Sequence, residues 1–418
     1  MTTGVAPVAR HRLLPMSGRE PDEDNRHVNP LELLFDLTFV VSFAQASHAG
    51  ARLLANGQVA AAAWGFAFIV VAICWLWINF SWFASGFDTD DWLFRLTTMV
   101  QMAGVIVLAL GVAPVFASIA DGEPVDVGVV VAGYVVVRTA MLGQWIRVAR
   151  EDRTHRPAAL TYSTSIAVAQ VGWVLVAITG LASTGFVAAA TVLLLIELGG
   201  PVVAKRARGG TPWHPHHIAE RHGLMFIVTL GEAILATIAA VSAVVESIGW
   251  SDEAVLLVVA GTGLTLALWW DYFIVPFGTF LSRSRSRTWS YGYGHILIFA
   301  SVVATGMGLH TAAYVVAGEA TIGVPETVLA VAVPMVVFNF AYFGVYSLVV
   351  RAIDVFHILL LSGTLAVVAS AVVAAYAGVP LGWCLVVLAA SPFVTVVGYE
   401  TVGHRHITAD VIALWSSA

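Results

Sequence analysis

The sequence predicts an all-α polytopic membrane protein of about twelve transmembrane helices, built as two parallel six-helix repeats with both termini cytoplasmic. Three observations carry this. Of 418 residues, 59% are hydrophobic and only 11% charged, with a mean hydropathy of +0.86. A soluble domain holds about 25% charged residues, and a globule this apolar would expose large sticky patches. The apolar residues form continuous runs of roughly 20, long enough to cross a ~30 Å hydrocarbon core as helix, where a barrel would alternate. The basic residues are confined to alternate loops.

The elements follow in order. Residues 1–29 are polar and lack the apolar core of about 7–15 residues that a signal peptide needs; they read as a cytosolic tail, disordered to about Asn25. The first membrane half covers 30–205, with spans at 31–54, 60–83, 92–119, 127–147, 158–180 and 183–204. Pro30 opens the first span, "FDTDD" (87–91) stands before the third, and "GLASTG" divides the fifth from the sixth. A basic, histidine-bearing cytosolic loop, 206–217, leads into the second half, 218–403. Its spans lie at 218–245, 253–279, 290–316, 325–349, 354–377 and 381–402, the last two joined by "AGVPLG"; 404–418 is a second cytosolic tail.

Orientation follows from counting positive charges in alternate loops. One side receives Arg10, Arg12, Arg19 and Arg26, then Arg95, "RVAREDRTHR", "KRARGG" with Arg221, "RSRSR", Arg351 and Arg405, which is 18 of the 20 basic residues. The other side has Arg52 and loops bearing Asp121, Glu123, Asp126, Glu246, Asp252, Glu253, Glu319 and Glu326; Arg138 lies mid-span. Both termini are thereby placed in the cytoplasm. A single lysine and arginines scattered over short loops exclude a nucleic-acid surface. Cys74 and Cys384, far apart in apolar runs, make neither a disulfide framework nor a metal pair. "WHPHH" (213–217) has no acid or cysteine at helical spacing and reads as a loop at headgroup level, not a metal site. With no Walker loop, Rossmann glycines, HExxH or GxSxG, no cofactor is expected and the energy source on offer is an ion gradient.

"ELLFDLTFV" (32–40), "FDTDDWLFRL" (87–96) and "HHIAERHGLMFIVTLGEAI" (216–234), in this order, resemble the bacterial low temperature requirement protein A (LtrA) family over roughly 28–403. Leu34 and His222 stand where that family would lead one to expect aromatics. The resemblance implies a multi-pass protein of the bacterial cytoplasmic membrane, in a family named for a cold-growth phenotype and without an established activity. Independently, laying the first half on the second pairs Glu32 with Glu220, Asn79 with Asp271, Arg95 with His295, "RTAMLG" (138–143) with "NFAYFG" (339–344) and Glu197 with Glu400. The offsets grow smoothly from 188 to 203, as short loop insertions would make them. Halves of six spans would superpose by a rotation about the membrane normal.

The buried polar residues are the candidate site. Glu32 and Asp36, four apart, share one helix face, and Ser47 continues the stripe; His217, Arg221 and Glu232 share another. Charge near the bilayer centre costs at least ~2.5–3.5 kcal/mol, so such groups face partners or a watery cavity. Glu232, Asp271, Arg138 and Glu197 lie deepest, and Arg138 is expected to meet an acid from the first, sixth or seventh span. Glu32, Asp36, Asn79, Arg95, Glu220, Arg221, Asp271, His295, Asp354, His357 and Glu400 fall toward the cytoplasm, His48 and His310 toward the outside. That asymmetry suggests an acidic vestibule open to the cytoplasm.

Each residue also has a structural reading. Asp88, Asp90 and Asp91 can cap the third span, with Asp91 and Arg95 as an i,i+4 pair, or bind. Glu32, in the first turn after Pro30, can be a cap. His295 and His310 are imidazoles able to change charge near neutral pH, or packing histidines. Trp64, Trp92, Trp213, Trp250 and Trp289 are interface anchors.

Three functions fit. The first is a proton- or ion-coupled secondary transporter of a small solute, in which Glu232 exchanges protons and Gly231 lets a neighbouring backbone approach it. The second is a membrane-embedded enzyme using a cytosol-facing acid cluster on a lipid or lipid-linked substrate. The third is a non-catalytic scaffold or stress-related sensor. The implied partners are the bilayer and a small-molecule or lipid ligand.

Overall fold

The computed structural model describes residues 13–23, 26–207, 210–351, 355–403 and 405, and no strand occurs among them. Arg10, Arg12, Arg208 and Asp354, all used in the charge reading, and most of the tail 404–418 lie outside the described residues. In chain order the helices are α1 (Pro30–Ala55), α2 (Val59–Phe87), α3 (Trp92–Leu110), α4 (Val112–Asp121), α5 (Gly128–Glu151), α6 (Arg156–Thr179), α7 (Ser183–Arg206) and α8 (Pro215–Ile248). They continue as α9 (Asp252–Phe273), α10 (Phe277–Arg283), α11 (Thr288–Val316), α12 (Val324–Val350), α13 (Val355–Tyr376), α14 (Leu381–Ala390) and α15 (Pro392–Gly398). A single π-turn, Tyr399–Gly403, extends α15.

Counting α3 with α4, α9 with α10 and α14 with α15, eleven stretches among the described residues are long and apolar enough to cross a membrane. The helix α1 has the length, at 26 residues, but its Asp36, Gln45, His48 and Arg52 dilute its hydropathy. The protein is therefore an all-helical, multi-pass membrane protein of eleven or twelve spans. Continuous helix is the local answer because lipid offers no partner for a free N–H or C=O. The breaks fall where the ladder is weakened: Gly111 between α3 and α4, Pro276 before α10, Pro392 at the start of α15.

The chain divides into two compact units: residues 1–38 with 76–214, and 39–75 with 215–418. In the first unit α3, α5, α6 and α7 pack in succession. The helices α3 and α5 touch through facing glycines. A Cβ at Gly133 would stand 2.3 Å from the Leu108 nitrogen and 2.5 Å from the Gly104 oxygen, so the two backbones approach to a distance only glycine permits. In the second unit α11 is the enclosed helix, packed by α8 and α12, while α9 lies against α14 and α15.

The polar tail corrects an expectation. Residues 13–23 were expected to be disordered; instead 14–19 are tied down by backbone hydrogen bonds and the Met16 side chain is fully buried. A strap carrying alternate N–H groups finds a row of acids waiting for it, as described next.

Candidate functional site

The three acids of "FDTDD" do three different jobs in the first unit. Asp91 is the N-cap of α3, its Oδ1 accepting from the Phe94 N–H at 2.9 Å. Its other oxygen accepts from the Leu14 N–H of the strap (3.2 Å) and from Arg147 (2.5 Å). Asp90 has a left-handed backbone (φ 49°), which turns its carboxylate to Arg95, bidentate at 2.9 and 2.8 Å. The expected Asp91–Arg95 pair is therefore not formed, and Arg95 is exposed rather than part of a buried site. Asp88 serves the tail: it accepts from Asn29 at 2.9 Å, and Arg26 and Arg19 approach to 3.5 and 3.9 Å.

Two more acids complete the row. Met16 N–H donates to Glu151 (2.6 Å) and Gly18 N–H to Asp152 (2.8 Å), so residues 14, 16 and 18 each give an N–H to a different carboxylate. Arg147 fastens the strap by also donating to the Leu14 carbonyl at 2.5 Å. Burial opposes charge on Asp91, yet Arg147 and the N–H groups of Phe94 and Leu14 outweigh it and bring its carboxyl down to about 2. Asp152 is likewise lowered against burial, by the Gly18 N–H and His155. Asp88 is raised, chiefly by burial and the neighbouring Glu32 charge.

Glu32 is fully buried in a reciprocal cap: its Oε2 accepts from Asn29 N–H and its own N–H donates to Asn29 Oδ1, both at 2.9 Å, with Arg26 at 3.6 Å. Asp36, also buried, accepts the Trp77 indole N–H at 2.6 Å. Asn79 is buried on α2. Deeper in the first unit, Arg138 on α5 meets Glu197 on α7, the sixth expected span, at 2.8 Å. Gln170 of α6 donates to the same carboxylate at 3.1 Å. Arg138 Nε and Nη1 have no hydrogen-bond partner among the described residues.

In the second unit Glu232, 1% exposed on α8, lies 3.0 Å from Nε2 of His310 on α11. Its Oε2 has no hydrogen-bond partner among the described residues. The glycine that makes room is Gly306, where a Cβ would stand 3.1 Å from Glu232 Cγ; Gly231, expected in that role, has nothing within 4 Å of a Cβ. The His48 ring stands edge-on to His310, centroids 5.1 Å apart. Both histidines line a cavity of about 490 Å³ with Tyr314, Ser242, Glu246 and Glu319.

His295 has a partner at each ring nitrogen. Its Nδ1 lies 2.7 Å from the Tyr291 carbonyl, which can only accept, so Nδ1 carries the proton and Nε2 takes the Tyr272 hydroxyl at 2.9 Å. It is a satisfied packing histidine among Tyr272, Phe277 and Tyr291. Asp271 is 1% exposed and both its carboxylate oxygens lack a partner among the described residues. Arg221 is fully buried, whereas Glu220 is exposed, so Glu220 does not share the enclosure of Glu32. Among the described residues no three His, Cys, Asp or Glu side chains converge as a metal site requires. The histidines of "WHPHH" are used separately: His214 Nε2 lies 3.1 Å from the Glu23 carbonyl, and His217 is buried on α8.

Sequence reasoning did not find Arg147, Glu151, Asp152 or Gln170 as partners, and named His310 without its acid. The i,i+4 spacing of Arg147 and Glu151 and the i,i+3 spacing of Asp152 and His155 carried the signal there was.

A family model described as bacterial low temperature requirement A protein (LtrA) matches residues 27–391. No curated protein and no solved structure matches the chain.

Proposed function

The chain belongs to the bacterial low temperature requirement A family, and from that premise we propose that it is a proton-coupled secondary transporter of a small solute. The proposal sets it in the bacterial cytoplasmic membrane with both termini inside, as the basic loops favour. The observation that carries it is the Glu232–His310 pair. With the carboxylate ionised, the imidazole N–H donates across the 3.0 Å gap; with the carboxyl protonated, its O–H donates to the bare nitrogen. The hydrogen bond survives both states, so a proton can come and go without leaving either buried group unpaired. The second carboxylate oxygen, with no partner among the described residues, is where a solute group or proton acts. His48, beside His310 on the wall of the cavity, is the step by which protons arrive.

The charges that face this relay are Glu232 from α8 and Arg52 and His48 from α1, with Glu246 and Glu319 at the cavity. The enzyme reading has less support, because Asp91, Glu151 and Asp152 are engaged in holding the strap and Asp90 is paired with Arg95. The test begins by comparing the metabolites and lipids of cells with and without the gene, then follows uptake of the retained solute against pH in vesicles. Glu232→Gln should fold and insert yet lose pH-dependent uptake by roughly a hundredfold, the low end of what a positioned proton-transfer group contributes. Uptake with an unchanged pH profile would remove Glu232 from the mechanism. Accumulation of an unmodified lipid in the deletion strain would favour the enzyme instead.

A further inference from the structure

The helix ends of the second unit carry a feature that proton transfer does not use. Where α9 ends and the π-turn follows α15, an open groove of about 660 Å³ is walled by Trp269, Trp270, Phe273 and Tyr399, with the Glu400 carboxylate at its rim. The rings of Trp269 and Phe273 stand 5.6 Å apart, and both tryptophans and Phe273 are exposed on the helix face. The Trp270 indole N–H donates to Oε1 of the exposed Glu400 at 3.0 Å, which anchors the carboxylate at the groove. No arginine, lysine or histidine pairs with Glu400 among the described residues. The residue sits in the π-turn Tyr399–Gly403, a helical irregularity that recurs at functional sites.

We propose that this groove binds the cationic amine headgroup of a membrane phospholipid, with Glu400 as counter-ion and the Trp269, Trp270 and Phe273 rings as its walls. The chemistry selects the charge. Aromatic faces attract an ammonium through the ring quadrupole, and a fixed carboxylate without a cation partner repels a phosphate or a second acid. The source is a lipid because the groove opens on spans of the membrane, at the level where tryptophans mark the interface. Below it Leu266 on α9 and Phe393 and Val397 on α15 are exposed, an apolar track for the acyl chains.

The test is native mass spectrometry of the full-length protein, released from vesicles of phosphatidylethanolamine and phosphatidylglycerol mixed in equal parts. The wild type should retain the ethanolamine lipid over the glycerol lipid by on the order of fivefold, the size expected of one exposed cation–π and ion-pair contact. Glu400→Gln should erase that preference, and Trp270→Phe, which keeps a ring but loses the N–H, should halve it or more. Glu123→Gln, an exposed acid of another loop, should leave it intact. Equal retention of the two lipids by the wild type, or a preference that survives Glu400→Gln, would overturn the proposal. So would displacement of the lipid by millimolar choline chloride, since the site would then serve a soluble cation.

Discussion

In the first unit the buried Arg138 meets one carboxylate oxygen of Glu197 while Gln170 holds the other; in the second, Glu232 meets a histidine and keeps one oxygen without a partner among the described residues. Both pairs join two helices, and both are buried. They differ in what a proton would do to them. Arginine does not titrate in a protein, so protonating Glu197 would strand a buried guanidinium, and the pair is held in one state. A carboxylate against an imidazole keeps its hydrogen bond whichever of the two groups holds the proton. Buried charge is therefore not by itself a mark of function: a partner that cannot release a proton makes a brace, and one that can suits the relay proposed above.

The comparison breaks most sharply at Arg138. Arg138→Met should destabilise the protein by about 3–5 kcal/mol, because Glu197 is left buried without its cation, and Arg138→Met with Glu197→Gln together should regain most of that. Denaturant unfolding in micelles measures both. A single variant no less stable than wild type would remove the brace. The next effect belongs to the strap. The Asp91 carboxyl is brought from 3.8 to about 2, so a depressed group contributes stability that is complete above 3.8 and lost as pH falls toward 2. With allowance for solvent screening the loss is about 1–2 kcal/mol. Hydrogen exchange at the amides of Leu14, Met16 and Gly18 should quicken over that window, and Asp91→Asn should show the quickened exchange already at neutral pH.

Glu232→Gln should move stability by under about 1 kcal/mol, since the amide keeps the shape and still meets His310. A cost as large as that of Arg138→Met would make the two pairs alike. Smallest of all, Gly306→Ala should leave the unfolding curve within about 1 kcal/mol while shifting the pH midpoint of uptake, because the added methyl meets Glu232 Cγ at 3.1 Å. Unchanged uptake would say that the fit of α11 against Glu232 is loose.

The spans were legible because each sums some twenty residues of one chemistry, and the observed helices begin and end within a few residues of those expected. Arg138 was legible as a group that must find an acid, and its partner lies on one of the three spans named. Partners between distant elements were not legible, since no spacing rule links Asp91 to Arg147 or Glu232 to His310. Local rules misled where the backbone departs from them: the positive φ of Asp90, not helical periodicity, chose the mate of Arg95. Gly231 looked like the place of close approach because it neighbours Glu232 in sequence, whereas Gly306 neighbours it in space.

The strap also sets an order of events during synthesis. The Met16 N–H donates its hydrogen bond to Glu151, a residue made 135 positions later. At about 5–20 residues per second, translation needs roughly 7–27 s to supply it. Residues 14–18 must therefore wait unseated until the end of α5 has been made, then close onto Asp91, Glu151 and Asp152. A fusion placed just before residue 13 would lengthen that wait without touching any helix, and a chain halted before Asp152 would carry an N-terminus open to proteolysis.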